Sequence, residues 1–262
     1  MRPIRALLLA ALPAALAAGA APLRAQVPEQ RPQNLKVLPR DIPRDSLIQI
    51  MRGISMSLGV RCQYCHVQRQ PGPDGRESFD FASDDKPEKE KARFMMRMTR
   101  DLNTQTLAQL PDRRNPPVPV GCVTCHRGLP VPTTLDRVLM TALDSGGAPA
   151  AVARYRQLRQ EQALSGRYDF GEWTVNELAR RLAATGKAAE AAALLEMNSE
   201  FYPNSASIDV QLAEAYRALG QRDRAIARYR MALEKQPNNQ QARRRLDELT
   251  GAAPAPAPAP RP

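Results

Sequence analysis

Two cysteines and a histidine occur twice in this chain at the same spacing, in Cys62-Gln63-Tyr64-Cys65-His66 and in Cys122-Val123-Thr124-Cys125-His126. Together they hold all four cysteines and both histidines of the 262 residues. Two thiols at this interval add across the two vinyl groups on one edge of a haem, and the next residue turns its imidazole to the iron. A zinc ribbon also uses paired Cys-x-x-Cys units, but its pairs lie about 15 to 20 residues apart, whereas Cys65 and Cys122 are much farther from each other. Neither a zinc ribbon nor structural disulfides account for a histidine directly after each pair. The pattern predicts two covalently bound haem c groups, anchored by Cys62 and Cys65 and by Cys122 and Cys125, with His66 and His126 as proximal iron ligands.

The far side of each iron then decides between electron carrier and catalyst, and no histidine remains to fill it. Methionine is the obvious candidate. Ahead of the first motif, Leu47, Met51, Ile54 and Leu58 recur at helical spacing, with Ser46 and Gln49 as a weak capping box and Gly59 as the stop. Met51 lies on that apolar stripe and Met56 off it. Ahead of the second motif, Asp85, Pro87 and Glu88 open a helix expected to run to about Leu107. Its stripe carries Ala92, Met95, Met98 or Thr99, and Leu102, so Met95 and Met98 are better ligands than Met96. A methionine on a helix face is also ordinary core filler, which leaves both assignments open on spacing alone.

Several stretches together resemble the haem-binding cytochrome subunit of photosynthetic reaction centres. They are residues 34–39 (Asn-Leu-Lys-Val-Leu-Pro), Met51 with a Cys-x-x-Cys-His eleven residues later, 80–87 (Asp-Phe-Ala-Ser-Asp-Asp-Lys-Pro), 95–103 (Met-Met-Arg-Met-Thr-Arg-Asp-Leu-Asn), and the second motif followed by Arg127-Gly128. The chain is similar to one half of that subunit, over about residues 33–130. The resemblance implies a helix before each motif that supplies the distal methionine. That selects Met51 for the first haem and Met95 for the second, with Met98 as the fallback for Met95. Residues 105–110, where one reaction-centre haem finds a histidine ligand, contain none here, so His/Met pairs of relatively positive potential are expected.

Residues 1–25 read as a cleaved signal peptide: Arg2 and Arg5, an apolar run from Ala6, then small residues up to Ala25. No later stretch approaches about 18 consecutive apolar residues, so no transmembrane span is expected in the mature chain and a periplasmic location follows. Losing Arg2, Arg5 and Arg24 lowers the formal charge of +11 by three. In an exported chain without a nucleic-acid motif, the remaining basic surface points to an acidic redox protein partner or an anionic membrane surface, not to nucleic acid.

Beyond the haem segment a repeat appears. Val175, Leu178, Ala179, Leu182, Gly186, Ala191, Leu195 and Pro203 recur 34 residues later as Asp209, Leu212, Ala213, Tyr216, Gly220, Ala225, Tyr229 and Pro237. That period resembles tetratricopeptide repeats, stacked antiparallel helix pairs whose concave face takes a peptide or protein. Asn198 departs from the small residue, Ala232, of the second copy. Arg180, Arg181 and Arg217 would favour an acidic ligand.

The expected fold class is all-α: a haem-packed multihaem cytochrome c domain (33–135), then a short tetratricopeptide-like α-solenoid (148–250), with a linker near 144–147 and a disordered Ala/Pro tail (251–262). The function expected is a non-enzymatic, exported dihaem electron carrier with a docking domain. The alternatives are a dihaem peroxidase with one open iron and a redox-sensing scaffold.

Overall fold

The computed structural model describes residues 31–73 and 75–251. The expected signal peptide and residues 252–262 of the Ala/Pro tail lie outside them. Nine α-helices and one two-stranded sheet are present among the described residues. No helix among them is long and apolar enough to cross a membrane.

Helix α1 (Arg44–Leu58) begins two residues ahead of the expected Ser46 cap. Pro43, whose ring presets a helical φ, stands at the N-cap, and Asp45 sits where the helix dipole favours an acid. It ends at Gly59 in the left-handed conformation, as the sequence predicts. The first motif follows as a 3-10 turn (Cys62–Tyr64). Strands β1 (Val67–Arg69) and β2 (Ser78–Asp80) then pair antiparallel, Gln68 opposite Phe79.

Helix α2 (Pro87–Asp101) carries Pro87 in its first turn, and its N-cap is Lys86, not Asp85. It does not run on as α-helix to Leu107. It widens into a π turn (Leu102–Thr106) and closes with a 3-10 turn (Leu107–Gln109). The second motif forms a short helix, α3 (Cys122–His126), which packs against α1.

Residues 31–134 bury no apolar side chain among the described residues; their buried side chains are Lys89, Arg93 and His126. The apolar core starts at Leu135. Helix α4 (Leu135–Gln162) breaks at Gly146 and Gly147, which have non-helical dihedrals. The predicted linker is therefore a kink, and Leu135, Leu139 and Leu143 before it share one core with Ala151, Tyr155 and Leu158 after it.

Helices α5 (Glu172–Ala184) and α6 (Ala188–Phe201) form one antiparallel pair, α7 (Ala206–Ala218) and α8 (Arg222–Lys235) the next, and α9 (Gln240–Thr250) packs on α8. Most repeated positions do the same work in both copies; Val175 is an exception, an apolar core residue whose counterpart Asp209 is a buried carboxylate held by Arg228 and Lys235. Leu178 and Leu212, Ala179 and Ala213, Ala191 and Ala225, and Leu195 and Tyr229 are all buried. Gly186 and Gly220 both end a helix with positive φ. Ser205 caps α7 by accepting from Ile208 N–H at 3.2 Å, and Asn239, 34 residues on, caps α9 by accepting from Ala242 N–H at 3.0 Å.

Asn198 is fully buried without disturbing this stack. Its Nδ2 donates to Asn176 Oδ1 at 2.9 Å and to Glu172 O at 3.1 Å. Asn176 and Asn198 thus stand as a hydrogen-bonded pair where the second repeat has Val210 and Ala232.

Candidate functional site

The first motif is held from the side by the start of α2. The Lys86 ammonium donates to the carbonyl of Gln63, between Cys62 and Cys65. One turn on, Lys89 donates to the carbonyls of Phe81, Ala82 and Ser83 at 2.9, 3.0 and 2.7 Å. Phe81 meets the His66 ring edge-on, centroids 5.0 Å apart. Arg93, one further turn along, is buried against Asp84 at 2.8 Å and against the carbonyl of Asn34 at 2.9 Å. Asn34, itself at positive φ, donates to Ala82 O at 2.6 Å. Lys36 adds a third cation at 2.7 Å from Asp84.

The electrostatics follow from this packing. Hydrogen bonding, with Asn34 first and then Lys36, Lys89 and Arg93, holds the Asp84 carboxyl far below its ordinary range. Burial first, then Lys89 and Arg93, lowers the His66 pKa, which favours the neutral imidazole that a metal accepts. Burial pushes the Cys65 thiol up, with Glu88 adding to it.

The second motif is held by other means. Asn103, inside the π turn, donates through Nδ2 to Thr99 O at 2.8 Å and to Val120 O at 2.7 Å, and its Oδ1 accepts from Val120 N–H at 2.8 Å. This staples the end of α2 to the residue two before Cys122. The α-helix widens where Asn103 meets the loop that leads into the second motif, and π turns recur at functional sites. Gly121 N–H donates to Thr124 Oγ1 at 3.0 Å and steadies α3.

His126 is buried, and its Nδ1 lies 2.8 Å from the carbonyl of Leu129. A carbonyl only accepts, so the proton sits on Nδ1 and the lone pair is on Nε2. Arg127 and Gly128, both at positive φ, make the reversal that brings Leu129 back under the ring. Gly128 N–H donates to Ser57 O at 2.8 Å. A β-carbon at Gly59 would lie 2.2 Å from Gly128 O. The chain entering the first motif therefore touches the chain leaving the second, glycine against glycine.

All four cysteines are free thiols, so no disulfide joins the motifs. No cluster of three or more potential metal ligands of the His, Cys, Asp and Glu types exists among the described residues. The residues fit haem c. His126 has its tautomer fixed by the Leu129 carbonyl, which leaves Nε2 for a metal, and two free cysteines precede each histidine in the chain. Large apolar side chains around them, including Phe81, Phe94 and Val123, are exposed.

Met51 lies half-buried on α1 in line with Leu47, Ile54 and Leu58, and Met56 is exposed. Met95 and Met96 are both half-buried on α2, so burial does not separate them, while Met98 is 42% exposed. Sequence reasoning missed the positioning roles of Asn103, Gly59, Lys89 and Arg93. Asn103 stood in the quoted 95–103 stretch; for Lys89 and Arg93, whose acceptors Phe81, Ala82, Ser83 and Asn34 lie on loops, no local pattern signals burial.

A groove of 560 Å³ runs over α5 and α7, lined by Ala179, Ala183, Val210, Gln211, Arg180 and Arg217 among others. Arg180 is ion-paired to Glu177 at 2.5 Å and Arg217 to Glu214 at 2.8 Å, so their charge is partly offset. Arg181 is bound to Asp136 at 2.6 Å.

Residues 75–147 match the family model of the photosynthetic reaction centre cytochrome C subunit, and residues 206–246 match that of the tetratricopeptide repeat. A 77-residue stretch is 39% identical to cytochrome c-554 of Chloroflexus aurantiacus, covering 29% of this chain and 16% of that protein. The chain thus spans about a sixth of that relative's length. Among solved structures, the first TPR domain of human RPAP3 aligns at TM-score 0.32 and 18% identity, over 45% of this chain and 88% of that one. The Sgt2 TPR domain from Aspergillus fumigatus aligns at 0.31 and 17%, over 48% and 86%. The chain joins a c-type cytochrome segment resembling the reaction-centre cytochrome c subunit to C-terminal tetratricopeptide repeats.

Proposed function

We propose that this protein is an exported, periplasmic cytochrome that binds two haem c groups and passes single electrons between redox partners, with the repeat domain docking it to another protein. The observation that carries the reading is the pair of motif histidines. Each sits beside two free thiols, in a segment that buries no apolar side chain among the described residues. Haem supplies the one-electron iron couple. Cys62, Cys65, Cys122 and Cys125 fix it covalently, and His66 and His126 offer the proximal nitrogen. Met51 and Met95, on the helices before the motifs, are the distal ligands, with Met98 as the fallback for Met95. Closed coordination by these side chains excludes substrate from the iron, which is why the protein is a carrier and not a peroxidase. The groove over α5 and α7 receives the docked protein; with Arg180 and Arg217 partly offset by glutamates, shape and amide hydrogen bonds from Gln211 and its neighbours count for more than net charge.

The test is expression in a periplasm with haem-attachment machinery, followed by haem assay and ferric spectra with and without cyanide. Two haems per chain, both low-spin with the methionine-to-iron charge-transfer band and slow to take up cyanide, are expected. A high-spin fraction that binds cyanide readily would overturn the carrier reading, and Met95 would be the first ligand withdrawn.

A further inference from the structure

We propose that the two haem sites differ in potential in a fixed order, with the first, at Cys62–His66, above the second, at Cys122–His126, because of the side chains behind the two proximal histidines. The inference rests on the haem reading above and adds a direction to it.

Behind His126, the Nδ1–H donates to the Leu129 carbonyl at 2.8 Å. Such a bond pulls the proton toward the acceptor and makes the imidazole a stronger donor to iron, which favours the ferric state. Behind His66 there is no such acceptor among the described residues: its Nδ1 is buried and unpartnered there. The weaker donor favours the ferrous state.

Charge works in the same direction. The Lys89 ammonium is seated on the carbonyl of Phe81, the residue whose ring abuts His66, and Lys89 and Arg93 are both buried. Their counter-ions, Asp84 and Glu90, are shared with Lys36. Three cations thus face two carboxylates, and the cluster keeps a positive balance. A nearby positive charge opposes the extra charge of ferric iron, more strongly where water is excluded. On the His126 side the nearest cations, Arg167 over Gly128 and Arg113 on the Asn103 carbonyl, are half-buried, and none there is buried as Lys89 and Arg93 are among the described residues. Asn103 and the Leu129 carbonyl are neutral groups.

A singly reduced chain therefore holds its electron at the first motif, and electrons arriving at the second motif run onward to it. We expect at least a tenfold preference, which for one electron corresponds to about 59 mV.

Potentiometric titration of the chain with both haems in place tests this. Two resolved one-electron waves are expected. Lys89→Gln lowers the upper wave alone and Lys89→Arg restores it, which a merely structural role would not do. Should Lys89→Gln load haem poorly, Arg93→Gln reads the same shift. Met51→His, which would give the first iron two histidines, also lowers the upper wave. Coincident waves, a shift of the lower wave by Lys89→Gln or Met51→His, or no shift with Lys89→Gln overturns the proposal. Met51→His moving neither wave while Lys89→Gln lowers the upper one would refute Met51 as a ligand and leave the order of potentials supported.

Discussion

A β-carbon at residue 59 would stand 2.2 Å from the carbonyl oxygen of Gly128, and Gly59 also has φ of 67°. Two independent penalties fall on one position, which separates packing from backbone strain experimentally. Gly75 has φ of 70° with nothing within 4 Å of its absent side chain, so it carries the strain alone. Gly75→Ala is expected to cost about 1 kcal/mol, the usual penalty of the left-handed region. Gly59→Ala must in addition part the two glycines and break the Gly128-to-Ser57 hydrogen bond. It is expected to cost about 3 kcal/mol or more and to disturb the spectrum of the second haem, whose histidine leans on the turn containing Gly128. Equal melting of the two variants with unaltered spectra would show that the glycine contact is incidental. The sequence announced Gly59 as a helix stop, but its close partner lies 69 residues away, and no local pattern encodes that approach.

At the scale of elements, α2 does the most. Its first residues hold the first motif through Lys86 and Lys89, and its π turn holds the second through Asn103. One helix with its π turn thus touches both Cys-x-x-Cys-His segments, with Met95 between the two contacts. Its existence and its proline start were legible from spacing. Its π ending was not, because that depends on where residue 120 lies. In the repeats, the 34-residue period located the paired helices and their buried small residues, since the close helix contacts at Ala179 and Ala213 and at Ala191 and Ala225 demand small side chains in both copies. Asn198 looked like a defect only because its partner, Asn176, is a distant residue on the neighbouring helix. The pair makes a clean test. Asn198→Ala leaves Asn176 buried without its acceptor's donor and is expected to cost about 1–3 kcal/mol. Asn176→Val together with Asn198→Ala reproduces the Val210 and Ala232 pair of the second repeat and is expected to recover most of that loss. Additive costs in urea titrations would refute the pairing.

Across the whole molecule the two parts are stabilised by different means. The helices from Leu135 to Ala242 share one apolar core, rich in fully buried residues such as Leu139, Tyr155, Val175, Leu212 and Tyr229. Residues 31–134 rely on the polar cluster around Asp84, the Asn103 staple and the glycine contact, none of which offsets the chain entropy lost on folding about 100 residues. Their apolar side chains, Phe81 beside His66 and Phe79 beside Phe81 among them, make local contacts, but none is completely buried among the described residues. The parts meet where the Arg167 side chain covers Gly128, beyond the second motif, and through residues 127–134, which join α3 to α4. Cys122→Ala is therefore expected to divide the molecule's behaviour. The segment before Leu135 should lose its protease resistance, while the repeats melt within about 4 °C of the parent, the shift that about 1 kcal/mol causes in a small domain. Hydrogen exchange followed by residue would show protection falling before residue 135 and persisting after it. Unchanged protease resistance of the cytochrome segment would mean that its polar contacts suffice to fold it. A collapse of the repeats along with it would mean that the Arg167 contact joins the two parts into one cooperative unit.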